Sequence, residues 1–181
     1  HNIMNALAAA TAALALGVPL ATIRDGLENA PHVAGRLVRH THASGAIVID
    51  DSYNANPGSF AAAVATLGAE AGERVLVMGD MAELGSDSAR LHGEIGARAK
   101  QAGIQRLRAV GPLSRAAVEA FGSGAQHYAD QIELIDALRE ELRDGVVLLV
   151  KGSRSSAMER VVAALLGVAK GNGNEGERHV A

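Results

Sequence analysis

The segment VVLLVKGSR, residues 146–154, decides the fold class of this chain of 181 residues. It begins with an unbroken apolar run, which is typical of a strand buried on both faces. Three polar residues and a glycine, KGSR, follow this run directly. An apolar run that polar residues follow at once recurs in AIVIDDSYN (46–54) and in RVLVMGDM (74–81), and the second of these also has a glycine after the run. Stretches with helical periodicity separate these runs. Strands that alternate with helices predict an α/β fold, in which a mainly parallel sheet carries helices on both faces.

Periodicity and turn residues divide the rest of the chain into elements. We expect strands at 37–40, 46–49, 74–78, 107–110, 126–128 and 146–150, and helices at 2–16, 20–28, 57–67, 86–101, 112–121, 130–142 and 153–166. Asn56 before Pro57 predicts an N-cap and a first helical residue. The segment 29–35 has no apolar periodicity and predicts a boundary between an initial helical pair and the α/β part. The Gly- and Asn-rich segment 171–181 predicts an unfolded tail.

Composition excludes several classes of function. The chain has 17 Lys and Arg against 20 Asp and Glu and 2% aromatic residues, so it lacks the basic surface and the stacking rings of nucleic-acid-binding proteins. It has no Cys, which excludes disulfides, thiolate zinc sites and a Cys nucleophile. The apolar runs are too short to span a bilayer, and no secretion signal opens the chain, so we expect a cytosolic protein without a membrane partner. A start at His1, directly on a helical pattern, is expected of a piece cut from a longer protein.

Polar clusters follow three of the predicted strands, and we expect them to meet at one edge of the sheet. Asp50-Asp51 and Asp80 could bind Mg²⁺, accept ribose hydroxyls or simply cap turns. The segment KGSR (151–154) places two cations around a Gly-Ser step at the predicted start of a helix, which favours phosphate or carboxylate binding over an ordinary N-cap. His92 is expected at the surface of its helix, and the Walker pattern of P-loops is absent from the sequence.

Two function classes remain on these local grounds. One is an enzyme domain or binding module that handles a nucleotide or another anion. The other is a receiver-like phosphoacceptor signalling module. Such modules carry acidic residues and a Lys after their strands, and Asp50-Asp51, Asp80 and Lys151 stand at similar places in this chain. Only one helix and one strand separate Asp51 from Asp80, and Gly111-Pro112 stands where a receiver needs a hydroxyl residue. The first class is therefore favoured.

Five segments, taken together, resemble the Mur ligases. HNIMNALAAA (1–10) looks like the helix that closes their central ATPase domain, and Gly35-Arg36 looks like the step into their C-terminal domain. DDSYNANP (50–57), GDMAELG (79–85) and KGSR (151–154) are similar in particular to the member that adds D-alanyl-D-alanine to the peptidoglycan precursor. The segments occur in the order expected of that member.

The resemblance implies a domain organisation and a cellular setting. Residues 1–34 would be the last helices of the central domain, residues 35–168 a Rossmann-like C-terminal domain, and residues 169–181 a disordered tail. A hinge is expected in 30–35. The P-loop, the UDP-substrate domain and most Mg²⁺ ligands would lie outside this chain, which is expected to be inactive alone. A monomeric enzyme of the bacterial cytoplasm is implied.

The resemblance also implies a reaction. ATP with Mg²⁺ would phosphorylate the carboxylate of UDP-N-acetylmuramoyl-tripeptide, and the amine of D-alanyl-D-alanine would attack the acyl phosphate. The nucleotide side of the site would use His1 and Asn2 at the adenine edge, Asp51 at the ribose hydroxyls and Arg36 at the phosphates.

The remaining matched residues are implied to serve the acyl phosphate and the dipeptide. Arg36, Tyr53 and Lys151 are expected to be catalytic. Asn54 and Asn56 would lie near the acyl phosphate and the dipeptide. Opposite charges would bind the two ends of the dipeptide: its ammonium would meet Asp80 and Glu83, and its carboxylate, or a phosphate, would meet Lys151, Ser153 and Arg154.

Overall fold

A computed structural model describes residues 2–30 and 33–167, and within this part it contains one mixed sheet of six strands. The strands are β1 (Val38–Thr41), β2 (Ile47–Asp51), β3 (Glu73–Met78), β4 (Arg106–Val110), β5 (Ala125–Tyr128) and β6 (Val146–Lys151). Their order is β1-β2-β6-β3-β4-β5, and β1 alone runs antiparallel to its neighbour. The predicted α/β fold with a mainly parallel sheet is therefore confirmed.

Helices cover both faces of this sheet. The described helices are α1 (Asn2–Ala15), α2 (Leu20–Glu28), α3 (Pro57–Gly68), α4 (Ser88–Gln101), α5 (Arg115–Phe121), α6 (Gln131–Glu141) and α7 (Glu159–Leu166). Side chains of β3 alternate between two cores: Leu76 belongs to the core under α3, α4 and α5, and Val77 to the core under α6 and α7. Burial on both faces explains why the central strands read as unbroken apolar runs.

The first two helices form the predicted pair. Helices α1 and α2 contact each other, and Ile23 of α2 is buried. No helix in the described part of the chain is both long and apolar enough to cross a membrane. The tail expected at 169–181 lies outside the described residues.

Two predicted helices begin later than expected. The helix expected at 112 begins at Arg115, because the Ser114 hydroxyl donates to the Gly111 carbonyl and closes a turn before it. The helix expected at 153 begins at Glu159. A single 3₁₀ turn, Arg154–Ser156, precedes it, and Ala157 then adopts a left-handed φ of 47° that interrupts helical geometry. The prediction that residues 151–154 lie at a helix N-terminus was therefore wrong.

Two glycines of α4 allow a paired test of how closely α4 and α5 pack. A Cβ at Gly96 would lie 2.1 Å from the Ala117 carbonyl oxygen, whereas the nearest atom to a Cβ at Gly93 would be 3.6 Å away. Gly96→Ala is expected to cost about 1–3 kcal/mol through overpacking. Gly93→Ala is expected to stabilise the chain by up to about 1 kcal/mol, because Ala is the better helix former. Urea unfolding of both variants checks the contrast, and equal effects would contradict this account of the helix contact.

Candidate functional site

The three polar clusters meet at one edge of the sheet, as the sequence predicts. Strands β2, β6 and β3 are neighbours and run parallel, so their carboxyl ends lie side by side. The ammonium of Lys151 donates to the Asp51 carboxylate at 2.6 Å, and the Ser153 amide donates to the Asp80 carbonyl at 2.9 Å. Asp51 and Lys151, which are 100 positions apart in the chain, thus touch.

A buried ion pair joins the first and last clusters. Lys151 is 2% exposed, and its Nζ also donates to the Asn54 carbonyl at 3.0 Å and lies 5.6 Å from the centre of the Phe60 ring. Burial raises the pKa of the Asp51 carboxyl above its usual value, and the Lys151 ammonium and the Leu37 amide offset this only in part. Lys151 therefore already has two polar partners. This geometry favours a role in positioning Asp51 and Asn54 over the expected direct contact with a ligand anion.

Arg36 and Tyr53 form an exposed pair beside the ion pair. The Arg36 guanidinium lies 4.4 Å from the centre of the Tyr53 ring, and the ring is 44% exposed. The Tyr53 amide donates to the Gly35 carbonyl at 3.0 Å. Gly35 has a φ of 72°, and a Cβ there would lie 2.8 Å from the Tyr53 nitrogen, so only glycine fits without strain. The backbone thus fixes the position of Arg36, which lies two residues before β1.

These residues surround a cleft, here called the basic cleft. Asp51 and Lys151 lie at its floor, and its other lining residues include Arg36, Tyr53 and Asn54. Arg36 is an exposed cation, whereas Lys151 is a neutralised one. The basic cleft is suited to an anion that approaches Arg36 from the solvent side.

A larger groove lies next to the basic cleft and shares Asn54 with it. This groove, here called the dipolar groove, has a volume of about 630 Å³ and is lined by Asn54, Ala55, Asn56, Ala82, Glu83, Leu84, Ser153, Arg154 and Ser155. Glu83 and Arg154 are both exposed and carry opposite charges. The dipolar groove can therefore accept a ligand that has an ammonium at one end and a carboxylate at the other.

Glu83 lines the dipolar groove, but Asp80 does not. Glu83 has a φ of 64°, a backbone conformation that is rare for residues other than glycine and is often found at functional sites. The Asp80 carboxylate instead accepts the Ser114 amide at 2.8 Å and lies against Gly111, in a separate cleft that lacks Glu83. The structure therefore gives Asp80 a part in fixing the loop before α5, and does not bring the two carboxylates together.

Asn54 and Asn56 both have structural partners. The Asn54 side-chain oxygen accepts the amides of Ala55, at 2.8 Å, and Arg154, at 3.3 Å, and so links the two loops that border the dipolar groove. Asn56 is the N-cap of α3 and forms a reciprocal capping box with Ser59, as its position before Pro57 predicts. A substrate contact by Asn56 stays a prediction.

Ser153 is buried and Arg154 is exposed. The Ser153 hydroxyl lies 3.0 Å from the Ser155 hydroxyl and 3.2 Å from that of Ser156, and it caps no helix. Arg154 is thus the residue of the 151–154 segment whose side chain is open to a ligand. The adenine contacts expected of His1 and Asn2 involve side chains outside the described part of the structure.

The crevice between β3 and β6 is closed. The Ser156 hydroxyl donates to the Asp80 carbonyl at 2.9 Å, and a Cβ at either Gly79 or Gly152 would collide with the Met158 side chain. Ser156 and Met158 thus occupy the space beside the carboxyl ends of these two strands, a region where open α/β sheets commonly bind dinucleotides. The basic cleft and the dipolar groove lie to one side of this closed crevice.

Sequence reasoning also placed His92 wrongly. His92 was expected at the surface of its helix, but its exposed fraction is 0%. It is on the same face of α4 as the buried Ile95 and Ala99, at spacings of three and seven residues, and this periodicity was the signal that could have revealed its burial. Among residues 2–30 and 33–167, no group of three or more His, Asp or Glu side chains could hold a metal ion.

Comparisons with known proteins agree on one family. Residues 35–154 match the family model described as the glutamate ligase domain of Mur ligases. The UDP-N-acetylmuramoyl-tripeptide–D-alanyl-D-alanine ligase of Escherichia coli strain K12 is 48% identical over 167 residues, which cover 91% of this chain and 37% of the relative.

Solved structures show the same likeness. A crystal structure of MurF from Acinetobacter baumannii matches with a TM-score of 0.82 and 37% identity, over 92% of this chain and 37% of that one. The MurF ligase from Thermotoga maritima in complex with ADP matches with a TM-score of 0.74 and 25% identity, over 87% of this chain and 36% of that one. The chain thus spans little more than a third of the length of these relatives.

Proposed function

The chain belongs to the Mur ligase family, and from that premise we propose that it is the C-terminal part of a UDP-N-acetylmuramoyl-tripeptide–D-alanyl-D-alanine ligase. The observation that carries the proposal is the family match, which begins at Gly35 and ends at Arg154 and so includes every residue that lines the basic cleft and all but Ser155 of those that line the dipolar groove. The first relative described above bears this activity in its name. The proposed product is a peptidoglycan precursor.

The proposed reaction makes an amide from a carboxylate, which is a poor electrophile. Transfer of the γ-phosphoryl group of ATP to the tripeptide carboxylate gives an acyl phosphate and ADP. The amine of D-alanyl-D-alanine adds to the acyl carbon, and the tetrahedral intermediate loses phosphate and a proton to give the amide. Positioning the two substrates and stabilising phosphate charge are therefore the tasks of the protein.

The two clefts divide these tasks. In the basic cleft, Arg36 binds phosphate oxygens, since a guanidinium can contact two oxygens at once, and the Tyr53 ring holds its orientation. Asp51 lies at the floor of this cleft and would accept ribose hydroxyls. In the dipolar groove, Glu83 binds the ammonium of the dipeptide and Arg154 binds its carboxylate.

The rest of the site belongs to other parts of the proposed enzyme. Among the described residues no group of three or more His, Asp or Glu side chains could hold a metal ion, and the Mg²⁺ ligands would lie mainly in the part of the central domain outside this chain. Residues 1–34 would complete the central domain, with the hinge in 30–35 and residues 35–168 moving as the C-terminal domain. Closure about that hinge would bring Arg36 to the nucleotide and gate the reaction. We place the enzyme in the bacterial cytoplasm as a monomer.

Phosphate release tests the proposed function directly. The complete protein, given ATP, Mg²⁺, UDP-N-acetylmuramoyl-tripeptide and D-alanyl-D-alanine, is expected to release phosphate only when all four are present. The isolated chain of 181 residues is expected to show no turnover and no tight binding of ATP in isothermal titration. L-alanyl-L-alanine serves as the control dipeptide. Turnover by the complete protein that does not require the dipeptide would contradict the proposal.

A further inference from the structure

A buried histidine lies behind the loop that carries Glu83. Nε2 of His92 lies 2.9 Å from the Met81 amide nitrogen, and Nδ1 lies 2.7 Å from the Ser88 carbonyl oxygen. The Met81 amide can only donate, so Nε2 accepts and carries no proton. The Ser88 carbonyl can only accept, so Nδ1 carries the proton. The two backbone partners therefore specify the neutral imidazole with its proton on Nδ1.

This contact completes a set of backbone hydrogen bonds along the loop after β3. The Gly79 amide donates to the Lys151 carbonyl at 2.8 Å, and the Asp80 carbonyl accepts the Ser153 amide. The Met81 amide is the next group along the chain, and it turns away from β6 to meet His92 on α4. The backbone is thus fixed at three consecutive residues, and Glu83 follows two residues later in the same loop.

The position of Glu83 depends on this arrangement. Its own side chain is exposed, and its left-handed φ of 64° is a conformation that the surrounding structure has to impose. Met81 is fully buried, and the His92 ring fixes the backbone at this residue. A loss of that hydrogen bond would leave the buried Met81 amide unsatisfied, and the loop would then shift so that this amide can bond to another acceptor.

We propose that His92 is a positioning residue for the dipolar groove: its Nδ1–H tautomer holds the Met81 amide and thereby aims Glu83 at the ammonium of the incoming dipeptide. The inference deepens the proposed function and rests on it. If His92 only filled space in the core, a side chain of similar volume without an acceptor would serve as well. The two roles therefore predict different kinetics.

His92→Leu separates the roles in the complete ligase. It fills the space and leaves the Met81 amide unsatisfied, so the KM for D-alanyl-D-alanine is expected to rise about tenfold or more, while the KM for ATP stays within about threefold of its original value. His92→Gln offers an amide oxygen to Met81 and is expected to restore the dipeptide KM to within about threefold. Ile95→Ala is the matched control, because it weakens the same buried face of α4 but keeps the hydrogen bond between the Met81 amide and His92.

Three outcomes would overturn the proposal. They are an unchanged dipeptide KM in His92→Leu, no rescue by Gln, and an equal rise of the dipeptide KM in Ile95→Ala. If His92→Leu does not fold, His92→Asn takes its place, since the shorter amide can reach Ser88 but not Met81. The KM rise should also vanish in a Glu83→Gln background, because the residue that His92 aims has then lost its charge.

A spectroscopic measurement makes this test independent of catalysis. The imidazole ¹⁵N shifts of His92 in the 181-residue chain should report a proton on Nδ1, and the Met81 amide should exchange more slowly than in His92→Leu. A proton on Nε2 would refute the positioning role whatever the enzyme does. Absence of dipeptide-dependent turnover in the unsubstituted ligase would instead refute the proposed function, and the dipeptide role of His92 with it.

Discussion

Replacement of Lys151 by Met is expected to lower the free energy of unfolding by about 3–5 kcal/mol, because it leaves the Asp51 carboxylate buried without its cation. The ammonium donates to both Asp51 and the Asn54 carbonyl, so the variant also loses a link between the ends of β2 and β6. Urea unfolding of the 181-residue chain measures the change. Arg154→Met is the control, since it removes an exposed cation from the same loop and is expected to change stability by no more than about 0.5 kcal/mol.

The double variant Asp51→Asn/Lys151→Met tests whether the pair itself causes the effect. It should lose much less stability than the sum of the two single variants, because no unpaired buried charge remains. Additive losses would show that the two side chains act separately.

The pH dependence of Lys151→Met has a definite sign. Burial already raises the pKa of Asp51, and the substitution removes an ammonium that opposes this rise. The folded variant therefore binds a proton at a pH where the unfolded chain has released it, and folding gains stability as the pH falls through that window. The stability deficit relative to the unsubstituted chain should shrink between neutral pH and the ordinary carboxyl pKa. A deficit that grows as the pH falls would reverse this assignment.

Turnover of the complete ligase is expected to fall by about 10²–10³ when Arg36 is replaced by Ala, which is the usual loss when one group that stabilises charge in the transition state is removed. Arg36 is exposed and contacts the Tyr53 ring, so the melting temperature should hardly change. Steady-state kinetics and thermal unfolding of the same preparation measure the two effects.

Arg39→Ala is the matched control for Arg36. Arg39 is also exposed and pairs with Glu70 at 2.7 Å, away from the residues that line the basic cleft. Its loss should leave turnover within about twofold, because surface ion pairs contribute little. An unchanged rate in Arg36→Ala would remove Arg36 from the phosphate site. Tyr53→Phe should preserve most of the rate if the ring acts by holding Arg36, and a loss as large as that of Arg36→Ala would give the hydroxyl a direct part.

The sequence predicted the sheet well because its central strands are buried on both faces. The apolar run of β3 extends from Val75 to Met78, that of β6 extends from Val146 to Val150, and a glycine follows each strand directly. The late start of α7 was not predictable in the same way. Its cause is the left-handed Ala157, and no glycine or proline marks that position.

The sequence by itself determined the family, the alternation of strands and helices, and the convergence of three polar clusters on one edge. It could do so because hydrophobic periodicity reports which face of each element is buried, and strand ends report where polar groups emerge. Only the tertiary structure decided which of those groups remain open to a ligand.

The strand order determined which of these polar groups remain open to a ligand. It set Lys151 against Asp51 and turned Asp80 toward Ser114, while Arg36 stayed in solvent. Side-chain partners depend on which strands and helices become neighbours, and contacts between residues 100 positions apart leave no periodic trace in a single sequence.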